Sequence, residues 1–279
     1  MKAWIHDAFG VTGPHFPGPQ PVSIERCHFA ALRRQPYVVC EKTDGVRHLL
    51  VCDGEKRAAL VNRAFEVTPV AMNLPRGTIL DGELVTCRDG RTLFIVHDAV
   101  IVRDENVTRL SLTERLTKAR SIVRSVVRTA KSPFGLTVKT MVALEEFATF
   151  PTEFPYETDG LVFTPVNEPV RTGTHETMFK WKPRDRITID FLVRGRDLYI
   201  QERGQLVAEC TMHTRHTFPP DTIIECEYGD LGWTPVKIRT DKTYPNNRRT
   251  FFRTIVNIKE NIMREEFVTV AGLLAGPKI

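Results

Sequence analysis

Apolar residues recur along this chain mostly as short runs or in alternation with polar ones, the spacing of strands, with few stretches at helical spacing. Tyr37–Glu41 and Val46–Cys52 flank Lys42-Thr43-Asp44-Gly45, which reads as two strands meeting at a tight turn. Ala58–Val61, Thr78–Cys87, Leu93–Val102, Leu161–Thr164 and Met178–Lys182 are further strand candidates. Leu112–Arg128 has the apolar spacing of an amphipathic helix, with Ser111 or Thr113 as N-cap and Glu114 in the first turn. The first 25 residues are rich in Pro and Gly, which favours an irregular lead-in over a helix.

After Pro183 the texture changes to short strand-like pieces separated by turn signals: Thr188–Val193, Leu198–Gln201, Gln205–Thr211, Thr222–Tyr228 and Thr234–Arg239. Five such pieces suit a small five-stranded barrel such as the OB-fold. A last segment, Arg249–Ala271, has helical spacing. The expected fold is therefore α+β, with a domain of antiparallel sheets and helices over 1–186 and a β-barrel domain with a C-terminal helix over 187–279.

Composition narrows the class without naming it. With 279 residues, 42% hydrophobic, and 16 Phe, the chain can bury a core, so intrinsic disorder is excluded. No apolar run approaches the ~18 residues of a membrane span, and residues 1–7 carry no apolar block of signal-peptide type. A soluble, intracellular protein is expected. The charge balance, 39 Lys/Arg against 34 Asp/Glu, permits a polyanionic partner but does not identify one. Six scattered cysteines without a CxxC pair read as buried free thiols rather than a zinc site.

Candidate chemistry concentrates in a few segments. In Lys42-Thr43-Asp44-Gly45-Val46-Arg47 a lysine on a turn can project into a cleft, while Gly45 lets the backbone bend. Ile79-Leu80-Asp81-Gly82-Glu83-Leu84 sets two carboxylates around a glycine in an apolar strand, and Phe94–Asp98 is an apolar run ending in His97-Asp98. Thr158-Asp159-Gly160 enters another strand, and Phe179-Lys180-Trp181-Lys182 spaces two lysines for one strand face. Trp233 precedes Arg239-Thr240-Asp241-Lys242, followed by Pro245-Asn246.

In this order and spacing, the set resembles the covalent nucleotidyltransferase superfamily from about residue 16 to residue 262, and within it the mRNA capping guanylyltransferases more than the polynucleotide ligases. The Lys-Thr-Asp-Gly-x-Arg motif and the Trp…Arg-x-Asp-Lys ending favour capping enzymes. The lead-in Phe16–Ile24 is similar to the compact capping enzymes of large DNA viruses such as chlorella virus. The resemblance implies that Lys42 attacks the α-phosphate of GTP and that GMP then passes to the 5′-diphosphate end of RNA. The alternative it leaves is an ATP-dependent, ligase-like adenylyltransferase.

The implied roles fall on individual residues. Asp44 and Gly45 complete the motif around Lys42, and Arg47, Arg63 and Glu83 hold the ribose and order the site. Asp159 takes a divalent metal, with Glu83 as a second carboxylate, and hard oxygens suit Mg²⁺ or Mn²⁺. Lys180 and Lys182 contact phosphate, Lys139 faces the guanine, and Arg239, Asp241 and Lys242 reach the β- and γ-phosphates only on domain closure. His97 departs from the pattern, standing where relatives carry a Phe or Tyr that packs on the purine. A lysine amine is mostly protonated at neutral pH, so neighbouring cations and partial desolvation should favour the reactive form. No His-Cys-x5-Arg phosphatase loop and no glycine-rich methyltransferase fingerprint are present, so a separate RNA triphosphatase and cap methyltransferase are the expected partners.

Overall fold

The computed structural model describes residues 1–127, 132–240 and 242–274. The chain runs through α1 (Lys2–Phe9), β1 (Gln20–Ser23), α2 (Phe29–Leu32), β2 (Tyr37–Thr43), β3 (Val46–Cys52), β4 (Ala58–Asn62), β5 (Val67–Pro69), β6 (Thr78–Thr86) and β7 (Thr92–Val102). There follow β8 (Glu105–Asn106), α3 (Leu112–Ser125), β9 (Gly135–Val138), β10 (Val142–Ala143), β11 (Thr158–Pro165) and β12 (Thr174–Trp181). Beyond these come β13 (Thr188–Arg194), β14 (Asp197–Glu202), β15 (Gln205–Thr211), β16 (Thr222–Gly229), β17 (Gly232–Ile238), α4 (Arg248–Glu260) and α5 (Arg264–Leu274). Two compact units result. One holds Met1–Val22, Ala30–Lys180 and the chain from Phe267 onward; the other holds Ser23–Phe29 and Trp181–Glu266.

The first unit is built on two antiparallel sheets, ordered β1-β12-β11-β2-β10 and β5-β4-β3-β6-β7-β8, with β9 parallel on β7. Both faces of the second of these sheets are covered. Leu50, Cys52, Leu60 and Leu80 pack with Ala119 and Ile122 of α3, while Leu49, Val51, Val61 and Ile79 pack with Ile5, Ala8 and Phe9 of α1. Double burial explains why β3 ends in the unbroken apolar run Leu49–Cys52, all fully buried. α3 begins as expected: Ser111 and Glu114 form a reciprocal capping box.

Three expectations are corrected. The lead-in is not wholly irregular, because Lys2–Phe9 forms α1, closed by Gly10 in the left-handed conformation, and its apolar face covers the sheet. The C-terminal helix is two helices, since Asn261 adopts φ 41° and caps α4 before α5 starts. Lys182 lies past the end of β12, so strand alternation does not place it with Lys180.

The strands on either side of Asp44-Gly45 do not pair with each other. β2 belongs to one sheet and β3 to the other, so the turn carries the chain across. Gly45 packs so closely on β6 that a Cβ there would stand 2.5 Å from Val85 and 2.6 Å from the Leu84 carbonyl oxygen.

In the second unit the five expected strands form one antiparallel sheet, β15-β14-β13-β16-β17, and among the described residues no ladder joins its two edges. Phe191, Trp233 and Phe251 centre its core against α4, which Asn247 caps through the Thr250 amide. Among the described residues no helix is long and apolar enough to cross a membrane. Cys40, Cys52, Cys87 and Cys226 are buried free thiols, Cys210 is partly buried, and Cys27 is exposed.

Gly45→Ala is expected to lower stability by about 1–3 kcal/mol, the usual cost of overpacking. Urea denaturation of the wild type and the variant checks it, with a lower midpoint and an unchanged slope expected.

Candidate active site

A cleft of about 270 Å³ lies within the first unit and is lined by side chains from both of its sheets. Lys42, Val162, Thr164 and Lys180 come from one sheet; Arg47, Glu83 and His97 come from the other, with Arg63 from the turn after β4 and Lys139 from the end of β9. A six-residue motif thus supplies both walls, Lys42 before the crossing turn and Arg47 after it. Asp44 is exposed on that turn, where its amide donates to the Glu157 carbonyl.

Two β-bulges aim the critical groups. Thr158 pairs with Thr43 and Leu161 with Glu41, so Asp159 and Gly160 together oppose Lys42 alone. Asp159 thereby meets the Lys42 ammonium, Nζ to Oδ1 2.8 Å. Asp81 pairs with Asp98 and Gly82 with Val96, which leaves His97 as the extra residue of β7 and turns its ring into the cleft.

Asp81, which is not among the sequence-predicted site residues, ties two of the cleft side chains together. Arg47 pairs with Glu83 across the β3–β6 ladder, and period-two alternation puts Asp81 on the same face. Arg47 grips Asp81 in a fork, Nε to Oδ1 3.0 Å and Nη2 to Oδ2 2.6 Å, while its third nitrogen donates to the Pro19 carbonyl at 2.6 Å. His97 Nε2 stands 3.4 Å from the same Asp81 carboxylate. Burial opposes the charge on Asp81, but Arg47 and Arg63 outweigh it and hold the carboxyl below its usual range. The signal was available: a carboxylate inside Ile79-Leu80-Asp81 must find a cation once the strand is buried.

Behind Lys42 lies a second buried cluster. Lys139 Nζ donates to the Glu41 carbonyl at 3.0 Å and to Thr43 Oγ1, and it sits 3.5 Å from the Glu41 carboxylate. Tyr156 donates to that carboxylate at 2.7 Å. Both residues flanking Lys42 are therefore tied to one buried lysine, and Glu41 and Tyr156 are functional candidates that periodicity alone did not mark. Asp98, which also lines the cleft, is held in a bidentate pair with the fully buried Arg115.

The remaining candidates lie elsewhere. Lys182, Arg239 and Lys242 belong to the second unit, where Arg239 bonds Asp190 at 2.9 Å and Lys242 approaches it at 3.9 Å. Asp241 lies outside the described residues.

A family profile described as mRNA capping enzyme, catalytic domain, matches residues 1–184, and one described as mRNA capping enzyme, C-terminal domain, matches residues 179–268. The chain belongs to the mRNA capping enzyme family. It is 32% identical over 211 residues to the mRNA-capping enzyme subunit alpha of Yarrowia lipolytica, covering 64% of this chain and 54% of that protein. Against the subunit of the same description from Schizosaccharomyces pombe it is 26% identical over 332 residues, 96% of this chain and 83% of that one. The mRNA-capping enzyme of Danio rerio is 24% identical, matched over 90% of this chain and 48% of its own length. The chain thus spans about half the length of the first and last of these. Among solved structures, a mycobacterial DNA ligase D complexed with ATP and MES superposes with a TM-score of 0.50 at 13% identity, over 81% of this chain and 95% of that one. That likeness shows a shared fold.

Within this capping-enzyme cleft the charges are uneven. Burial pushes the Glu83 carboxyl up, and Lys139, Lys42 and Arg47 pull it back only in part. Desolvation lowers the His97 imidazole to about 4 despite Asp81, so the ring is neutral at pH 7.

Two outcomes follow for this cluster. As pH falls from about 6.5 to about 4, the unfolded chain takes up a proton at residue 97 that the folded chain refuses. The wild type is expected to lose stability through that window, and His97→Gln to lose less, as read by denaturant midpoints at pH 7 and pH 5. Asp81→Ala strands the buried guanidinium of Arg47 and is expected to cost about 3–5 kcal/mol. Asp81→Ala combined with Arg47→Met should recover part of that loss in the same assay.

Proposed function

We propose that this chain is an mRNA guanylyltransferase, which forms a covalent lysyl–GMP on Lys42 and passes GMP to the 5′-diphosphate end of RNA. The observation that carries the reading is Lys42 at the mouth of a cation-rich cleft, ion-paired to Asp159, in a chain of the capping family. In the first step the Lys42 Nζ lone pair attacks the α-phosphorus of GTP. A P–N bond forms, the bond to the bridging oxygen of pyrophosphate breaks, and that oxygen keeps the electron pair. The ammonium must first give up a proton, and Asp159 Oδ1 is the acceptor in reach at 2.8 Å. In the second step a terminal oxygen of the RNA diphosphate attacks the same phosphorus, and Lys42 leaves with a proton restored.

The other groups divide the work by position. Lys180 and Arg63 offer positive charge to the phosphates, and Arg47 and Glu83 serve the ribose side. Lys139 fixes the strand that carries Lys42 and contributes a cation to the base end of the cleft, where His97 presents a neutral ring. Arg239 and Lys242 act on the departing pyrophosphate in this reading. Among the described residues no cluster of three or more metal-ligating side chains occurs. Asp159 and Glu83 still fit Mg²⁺ or Mn²⁺, because such ions use one or two carboxylates and complete their shell with phosphate and water oxygens. Bound there, the cation supplies charge neutralisation at the phosphate oxygens. The strand order of the second unit supports a partly open barrel of OB type. RNA triphosphatase activity must supply the diphosphate end and a cap methyltransferase consume the product, as activities carried outside the residues described.

Incubation with α-labelled GTP or ATP and Mg²⁺ or Mn²⁺, followed by denaturing electrophoresis, tests this. Label from GTP alone, stable to alkali, labile to acid and lost in Lys42→Ala, is expected. Label from ATP alone would make the chain ligase-like, and no label would remove the activity.

A further inference from the structure

The second unit holds a cavity of its own, about 340 Å³, formed by the end of β15, the β16–β17 hairpin and one face of α4. Its apolar back is Trp233, Ile255 and Ile258, of which Trp233 and Ile258 are buried. Tyr228 stands at the rim, 41% exposed, with its ring edge-to-face against Trp233 at 5.0 Å. The groups at the entrance that can carry positive charge are Lys259 and His213, and among the described residues no carboxylate lines the cavity. The nearest acid on α4, Glu260, is engaged by the Arg26 backbone amide at 2.8 Å. His213 opens the exposed loop His213–Phe218, which adds Arg215 and a stacked His216–Phe218 pair.

We propose that this cavity takes one base of a single-stranded RNA, with the Tyr228 ring as the stacking platform and Lys259 and His213 beside the flanking phosphates. An exposed aromatic face over an apolar recess that none of the described carboxylates lines, with two cations in its lining and the exposed Glu227 and Asp230 of the same hairpin outside it, is the chemistry that holds an unpaired nucleotide by its base and its backbone together. A recess of about 340 Å³ has room for an unpaired base but not for a duplex, whose bases are stacked away from such contacts. The proposal rests on the reading that RNA is the acceptor, but the site lies entirely in the second unit and is separate from the cleft that carries Lys42. Its role is to retain the RNA chain rather than to touch the reacting phosphorus.

The full-length protein is to be irradiated with a single-stranded oligoribonucleotide carrying 4-thiouridine near its 5′-diphosphate end, and the crosslinked peptides mapped. Affinity for the unmodified oligomer is measured in parallel for the wild type, Tyr228→Ala, Tyr228→Phe and Lys259→Gln, with lysyl–GMP formation as the control. A crosslink within Tyr228–Trp233 is expected. Tyr228→Ala should bind about tenfold more weakly, as for the loss of one base–aromatic stack. Tyr228→Phe should bind as the wild type does, and Lys259→Gln should reduce the salt dependence by about one phosphate contact. All variants should form lysyl–GMP at the wild-type rate. Crosslinks that fall only elsewhere, or equal affinity in Tyr228→Ala and the wild type, overturn the site. Absence of lysyl–GMP in every protein with the crosslink intact would instead overturn the guanylyltransferase reading and leave the RNA site standing.

Discussion

The carboxylate of Asp81 is a negative charge placed inside an apolar strand, and the architecture of the cleft follows from satisfying it. Burying an unpaired carboxylate is far more costly than any single packing gain on that strand. Arg47 answers it in a bidentate fork, which locks the guanidinium from the second wall of the cleft, and the half-buried His97 ring comes to rest beside the pair. Because Arg47 also donates to Pro19 and lies over the Phe16 ring, the Pro-rich lead-in is fastened at the same point. One charge therefore fixes a strand register, the orientation of two cleft side chains and the path of the N-terminal segment.

The opposite wall uses the same principle with the signs exchanged. Lys139 is a buried cation whose partners are the backbone and side chains on either side of Lys42. Its hydrogen bonds hold the strand beneath Lys42 in place, whereas Lys42 itself stays partly exposed, with 26% of its side chain accessible, and is held by Asp159. A rigid base under an accessible amine is what a covalent step needs, since the attacking atom must be positioned without being enclosed. The short crossing turn at Gly45 joins the two walls, with Lys42 on one side of it and Arg47 on the other.

The second unit follows a different economy. Its aromatic core of Phe191, Trp233 and Phe251 is closed by α4, and its charged groups pair locally, Arg239 with Asp190 and Glu225. What the packing leaves open is the recess at the β16–β17 hairpin, where Tyr228 is not covered.

Local sequence settled much of this protein. Hydrophobic patterning set the longer strands to within a few residues, as at Val46–Cys52 and Gln205–Thr211, but not the short β5, β8, β9 and β10. The Ser111–Glu114 box started α3, and the family resemblance marked Lys42, Arg47, Glu83, His97, Lys139 and Lys180, all of which line the cleft. These are properties of neighbours along the chain: side-chain period, cap chemistry and the order of residues within a motif. Tertiary structure alone decided which sheet each strand joins, that β2 and β3 part company, and that two bulges turn Asp159 toward Lys42 and His97 toward the cleft. It alone buried Lys139 against Glu41 and made Asp81 the partner of Arg47. Ladder register and charge pairing join residues tens of positions apart, and their energies arise only when desolvation makes an unpaired group intolerable, which no local window of sequence contains.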